Sequence, residues 1–226
     1  GNIFGLPMEV EPMAMFYGRQ AWDEAGLTDD DIPETWDQLL EVGQRLTTDQ
    51  RFGILWDVNP GYYQNFTWYP FMWQGGAEIQ IDGGATSGLR EPGAVAALKL
   101  WQDAVNQGIS PRTVLGGGGW DVVPNLTTGY CAIQNVGIWA ISALQENAPD
   151  FEYGVFKLPL PEGGQYATDL GGWAFVANSQ GQDPETAARF IVWALGTMSD
   201  DSIQRGVDWC TKAKSDMAPR QSVQDA

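Results

Sequence analysis

A chain of 226 residues with 43% apolar and 18% charged side chains can bury a substantial core, as one large domain or two small ones, and is not composed like a disordered segment. Its net charge of −17 argues against nucleic acid or an anionic membrane surface as partner, because phosphate recognition needs a positive face. Histidine is absent, which removes the commonest general acid/base and metal ligand, while eleven tryptophans stand where about three would be ordinary.

In chain order, short strands are predicted at 3–6 and 12–17, around a Pro7–Pro12 stretch that carries Glu9 and Glu11. A helix is predicted over 35–46. Thr35 is its N-cap, Gln38 completes a capping box, and Trp36, Leu39, Leu40, Gly43 and Leu46 follow the helical period. Residues 51–58 read as a strand. An aromatic loop comes next, with seven aromatics between Tyr62 and Trp73, opened by Pro60-Gly61 and closed by Gly75-Gly76. A second helix is expected at 92–107, with Pro92 in its first turn and a buried stripe of Val95, Leu98, Trp101 and Val105. After the tetraglycine run 116–119 come a helix at 121–128, a strand at 130–135, a helix at 138–147 and a strand at 152–158. A strand at 172–178 precedes a helix at 184–195, which Asp183 caps, Pro184 opens and Gly196 closes. The tail 197–226 reads as partly helical. Strands alternating with helices give an α/β protein.

Cys131 and Cys210 read as two buried thiols, with a single disulfide as the alternative. No histidine is available for a zinc site. No stretch approaches 18 apolar residues, so no membrane span is predicted. No signal peptide is recognisable, and the opening Gly1-Asn2-Ile3-Phe4-Gly5-Leu6-Pro7 reads as a strand running into a site loop. The expectation is a piece of a longer protein.

Tryptophan offers a flat apolar face and one N–H, suited to the C–H face of a pyranose ring. The chemistry for turnover is missing: no serine or cysteine nucleophile has a histidine partner, and no Gly-x-Ser-x-Gly elbow occurs. The tetraglycine run lacks the Lys-Ser/Thr of a phosphate loop, and the acid beside it, Asp121, would repel phosphate. It reads as a backbone approach that aims Trp120 and Asp121, with helix capping as the plainer role for Asp121. Glu9 and Glu11 are alternate residues on an extended stretch, suited to accepting from hydroxyls, and a weak signal for an acid/base pair.

Several strings occur together in one order. They are Gly5-Leu6-Pro7, Ala14-Met15-Phe16-Tyr17, Ala25-Gly26-Leu27, Pro33-Glu34-Thr35-Trp36-Asp37-Gln38-Leu39, Leu126-Thr127-Thr128-Gly129-Tyr130-Cys131-Ala132-Ile133, Val136-Gly137-Ile138-Trp139, Tyr153-Gly154-Val155 with Leu158-Pro159, Leu170-Gly171-Gly172-Trp173, and Pro184-Glu185-Thr186-Ala187-Ala188-Arg189-Phe190. On these the chain resembles the extracellular solute-binding proteins of bacterial ABC sugar importers, the cluster that includes maltose-binding protein. It departs at Gly129-Tyr130-Cys131-Ala132-Ile133, where the family usually has Gly-Lys-x-Ala-Met.

The resemblance implies a periplasmic-binding-protein-like fold of two α/β lobes joined by crossing strands, with ligand in the cleft. Residues 1–170 would form most of the C-terminal lobe with a first crossing segment, and 171–226 a crossing strand with a returning part of the N-terminal lobe. It implies a sugar or oligosaccharide ligand, no cofactor, no catalytic residue, no metal, delivery to ABC permease subunits, and a monomer. The location would be periplasmic or extracellular, with lipid anchoring through an N-terminus outside this sequence as an option. The ligand-binding residues would be Trp139 as the stacking ring, Tyr62, Tyr63, Asn65 and Trp68 in the aromatic loop, and Gly171, Gly172 and Trp173 at the crossing. Glu9 and Glu11 in the first crossing segment join them, and Trp120 and Asp121, from the glycine-loop reading above, complete the set. Two alternatives stand beside this reading: a carbohydrate-active enzyme using Glu9 or Asp121, and a receptor for a non-sugar solute such as a polyamine or phosphodiester.

Overall fold

The computed structural model describes residues 3–226; Gly1 and Asn2, with which the expected opening strand-to-loop segment begins, lie outside the described residues. The chain divides into two compact units, one of Met13–Asp169 and one that joins the segment up to Pro12 with Leu170–Ala226. The elements begin with β1 (Leu6–Pro7), β2 (Glu11–Gly18), α1 (Arg19–Glu24), α2 (Trp36–Leu46), β3 (Phe52–Leu55) and α3 (Tyr62–Gln74). They continue with β4 (Gln80–Ile81), β5 (Thr86–Ser87), α4 (Pro92–Asn106), β6 (Cys131–Gly137), α5 (Trp139–Asn147) and β7 (Tyr153–Phe156). Last come β8 (Leu170–Gly171), β9 (Ala174–Phe175), α6 (Pro184–Ile191), α7 (Asp200–Asp208) and α8 (Gln221–Gln224).

The Met13–Asp169 unit is built on a sheet of order β3-β6-β2-β7, in which β3 and β6 are parallel and the other pairs antiparallel. Alternation along β2 sorts its side chains between two layers. Met13, Met15 and Tyr17 enter a core with Trp22, Trp36, Leu39, Trp56, Phe71 and Trp101. Phe16 enters a second core with Leu126, Ala140 and Leu144. The sheet is therefore covered on both faces, by α2, α3 and α4 on one side and by α5 on the other. Trp56 lies fully buried, stacked on Trp101 with centroids 4.9 Å apart and planes within 9°.

The capping box at α2 forms as expected: Gln38 N–H donates to Thr35 Oγ1 at 3.2 Å and Thr35 N–H to Gln38 Oε1 at 3.1 Å. Two expectations are corrected. The stretch from Tyr62 is a helix, α3, and not a loop, despite Pro70 inside it. Burial of Phe71 and Met72 against α4 outweighs the one backbone hydrogen bond that Pro70 removes. The stripe of α4 is also rotated. Ala94, Ala97, Leu100, Trp101 and Ala104 are buried, while Val95 and Leu98 are exposed. Because α3 supplies the bulk at this contact, α4 meets it with small residues; a Cβ on Gly93 would lie 2.2 Å from the Gly75 carbonyl oxygen.

The helix expected at 121–128 is a single wide turn, Val123–Thr127. Cys131 and Cys210 are both free and buried.

In the other unit, β1 pairs with β9 and the first residues of β2 pair with β8. The strand expected at 172–178 is thus reduced to short pieces. Gly172 at φ 130° leaves the extended region between them. Asp183 caps α6 by accepting from Thr186 N–H at 3.0 Å, as the sequence indicates. The helix ends at Ile191, and a wide turn continues to Gly196. A small apolar cluster of Cys210, Ala218 and Val223 holds α8 to the segment after α7.

Candidate ligand-binding site

Two parallel neighbouring strands deliver their chains to the same edge of a sheet, where α/β proteins bind ligands. Here β3 runs out into Trp56-Asp57-Val58-Asn59, and beside it β6 runs out into Ile138-Trp139. Trp139 opens α5 and is half-buried. Its ring folds back over the end of β6, and only glycine permits this: a Cβ on Gly137 would fall 1.9 Å from Trp139 Cζ3. The indole N–H donates to the Trp120 carbonyl at 3.2 Å. Tyr63 meets the indole edge-on at 6.1 Å, and Phe66 lies tilted against it at 6.5 Å. The helical form of α3 creates this arrangement, because residues three apart share a face.

The tetraglycine loop is pinned, not loose. Asn125, fully buried, donates from Nδ2 to the carbonyls of Leu115, Gly118 and Asp121 and accepts from Leu115 N–H at 2.9 Å. Gln134 on β6 donates to the Gly119 carbonyl at 2.8 Å. Gly119 lies against Asp57, where a Cβ would meet the Asp57 Cβ at 2.6 Å. Trp120 is thereby held half-exposed at 49%. Asp121 does not cap the following turn; its Oδ2 accepts from Gly117 N–H at 3.3 Å, back across the loop.

Asp57 is a buried carboxylate at the end of β3, 4% exposed. Burial pushes its pKa up, while backbone N–H groups of Asn59 and Gly119 act the other way. Sequence reading missed this residue, and Phe66, Asn125 and Gln134 with it. The available signal for Asp57 was a lone acid directly after the apolar run of β3.

Of the residues expected at a site, Trp139, Tyr63, Trp120 and Asp121 come together in this unit. Tyr62, at the first position of α3, is 77% exposed, and Asn65 is exposed one turn on. Trp68 turns instead toward the main core and meets Tyr69 at 6.0 Å. In the other unit, Trp173 is exposed and its carbonyl accepts from Met8 N–H. Gly171 pairs with Glu11 in the ladder. Gly172 approaches the Glu9 backbone so closely that a Cβ would lie 2.2 Å from its carbonyl oxygen.

Glu9 and Glu11 are buried together with Asp216 around the Lys214 ammonium. Lys214 Nζ lies 3.3 Å from Glu11 Oε1, 3.5 Å from Asp216 Oδ2 and 3.7 Å from Glu9 Oε1. The Trp209 indole N–H donates to Glu9 Oε2. Burial raises the pKa of both Glu11 and Asp216; at Lys214 burial acts downward, and the surrounding carboxylates outweigh it.

Residues 1–199 match the family described as bacterial extracellular solute-binding protein, and the chain belongs to that family. An arabinooligosaccharide-binding protein of Bacillus subtilis is 27% identical over 207 residues, 87% of this chain and 45% of that protein. A galactooligosaccharide-binding protein of the same organism is 26% identical over 167 residues, 73% and 38% of the two chains. Among solved structures, an ABC transporter solute-binding protein from Thermotoga lettingae, bound with α-D-tagatose, superposes with a TM-score of 0.82 at 23% identity, covering 98% of this chain and 56% of that one. The chain thus spans about half the length of the relatives it matches, and the expected α/β, periplasmic-binding-protein-like fold is the one found. Among the described residues no helix is long and apolar enough to cross a membrane.

Proposed function

We propose that the complete protein is the receptor of a bacterial ABC importer, which captures a sugar or oligosaccharide outside the cytoplasmic membrane and passes it unaltered to the permease. The observation that carries this reading is the Trp139 ring, seated on Gly137, tied to the Trp120 carbonyl and backed by Tyr63 and Phe66. A ring fixed in this way stacks on the C–H face of a pyranose without losing rotamer freedom when the ligand arrives. The exposed Trp120 ring extends the apolar wall, and Asp57 with Asn59 supplies acceptors and an amide for hydroxyls beside it. Tyr62 and Asn65, exposed on the first turns of α3, suit a further sugar unit. Oligosaccharide-binding relatives support the same substrate class.

Calorimetry against a panel of mono-, di- and trisaccharides, on the full-length protein, tests the reading. Trp139→Ala weakens binding by about 1–3 kcal/mol through lost apolar burial. An unchanged affinity removes Trp139 from the site. Shortened products after incubation with oligosaccharides would replace the receptor reading with an enzymatic one.

A further inference from the structure

We propose that Glu9, Glu11 and Asp216 form a binding site for a divalent cation of calcium size, which displaces the Lys214 ammonium that stands among them. The antiparallel bridge between Val10 and Met217 sets Asp216 across from Glu11, and Glu9 lies two residues before Glu11 on the same face. Like charges directly opposite one another in a ladder destabilise it unless a cation lies between them. Here three carboxylates, each more than nine-tenths buried, share one ammonium.

That ammonium fits poorly. Its three contacts, at 3.3 to 3.7 Å, all exceed the roughly 2.7–2.9 Å of a good ammonium–carboxylate hydrogen bond. Beyond the long contacts to that ammonium, both Asp216 carboxylate oxygens and Glu9 Oε1 are buried without a well-formed hydrogen bond. An unpaired oxygen in that position costs free energy that a metal bond recovers. One oxygen from each of the three side chains lies within 4.8 Å of the others. Ca²⁺ accepts oxygen ligands at about 2.3–2.6 Å in flexible geometry, which suits carboxylates drawn from separate segments, whereas Mg²⁺ demands a near-ideal octahedron and dehydrates reluctantly.

The surroundings support the exchange. The Trp209 N–H holds Glu9 Oε2 and so orients that carboxylate, as an outer-shell donor does at a metal centre. The Lys214 side chain is 28% exposed, and its flexible stem gives the ammonium a route to water. Water completes the coordination number. The cation site shares no residue with the Trp139 wall, so either assignment can fail without the other.

Terbium replaces calcium in such sites and emits when an adjacent indole is excited, and Trp209 is that indole. Titrating Tb³⁺ into the 226-residue chain gives saturable emission with one-to-one stoichiometry, reversed by Ca²⁺ and not by equimolar Mg²⁺. Asp216→Asn weakens the site about tenfold or more, and Lys214→Met tightens it several-fold. Circular dichroism verifies the fold of the unsubstituted chain and of each variant. The proposal is overturned if emission is absent, or is insensitive to Asp216→Asn and Glu9→Gln. It is equally overturned if binding appears only in Lys214→Met, which would make the lysine the resident cation.

Discussion

The two units use their aromatic residues in opposite ways. In Met13–Asp169, Trp22, Trp36, Trp56 and Trp101 are buried between a sheet and its helices. In the other unit Trp173, Phe190 and Trp193 are exposed, and the buried apolar side chains are small or few: Ile191, Ala194, Cys210, Ala218 and Val223. Both carry amphipathic helices with good caps. The difference lies in whether a layer stands opposite the apolar stripe. Where two helical layers sandwich a sheet, burial dominates stability. Where no such layer is present among the described residues, short ladders and caps carry more of it.

Paired substitutions test that contrast. Phe71→Ala, in the heart of the larger core, lowers stability by about 3–5 kcal/mol in denaturant titration, and Val223→Ala by only about 1–2 kcal/mol. Equal losses would mean that the smaller unit is as tightly built as the larger.

Asp169 sharpens the comparison through pH. It is 8% exposed with Oδ2 unpaired, and burial pushes its pKa up to about 7. An unfolded aspartate titrates near 4. Between these values the folded chain holds the extra proton. Stability from this group is therefore full below about pH 4, falls as pH rises toward 7, and is lost above. Asp169→Asn removes the slope and raises the melting temperature at pH 8, by an amount equivalent to about 1–3 kcal/mol. A melting temperature that stays unchanged at pH 8 shows that the carboxylate is already solvated.

Helix caps give the smallest effect. Thr35→Ala at α2 costs about 1 kcal/mol and leaves protease resistance intact, because the surrounding core holds the helix. Asp183→Ala at α6 exposes new cleavage sites around residues 180–190. Similar digestion patterns for the two variants would argue against the contrast.

Local chemistry was legible in the sequence. Thr35 with Gln38 and Asp183 with Pro184 each state their structure within a few positions. Partner-dependent features were not. The aromatic run from Tyr62 with Pro70 in it looks like a loop until the packing of Phe71 and Met72 is known. The buried face of α4 is set by the bulk that α3 presents, so Val95 and Leu98 misled. Trp139 was expected only through the family resemblance, and the structure seats its ring on Gly137. Asp57 was not legible, because its place depends on β6 lying beside β3. The meeting of Glu9 with Trp209, 200 positions away, is beyond any local pattern.

Asn125 concentrates the shape of the 115–121 loop in a single amide. Every partner it holds there is a main-chain atom, so none of those bonds depends on what stands at positions 120 or 121. In the receptor proposed above, drift in ligand preference therefore has an inexpensive route: exchange the exposed Trp120 side chain on an unchanged bracket. Insertions between Leu115 and Asp121 have no such freedom, and lineages that carry this asparagine should vary in loop identity well before they vary in loop length.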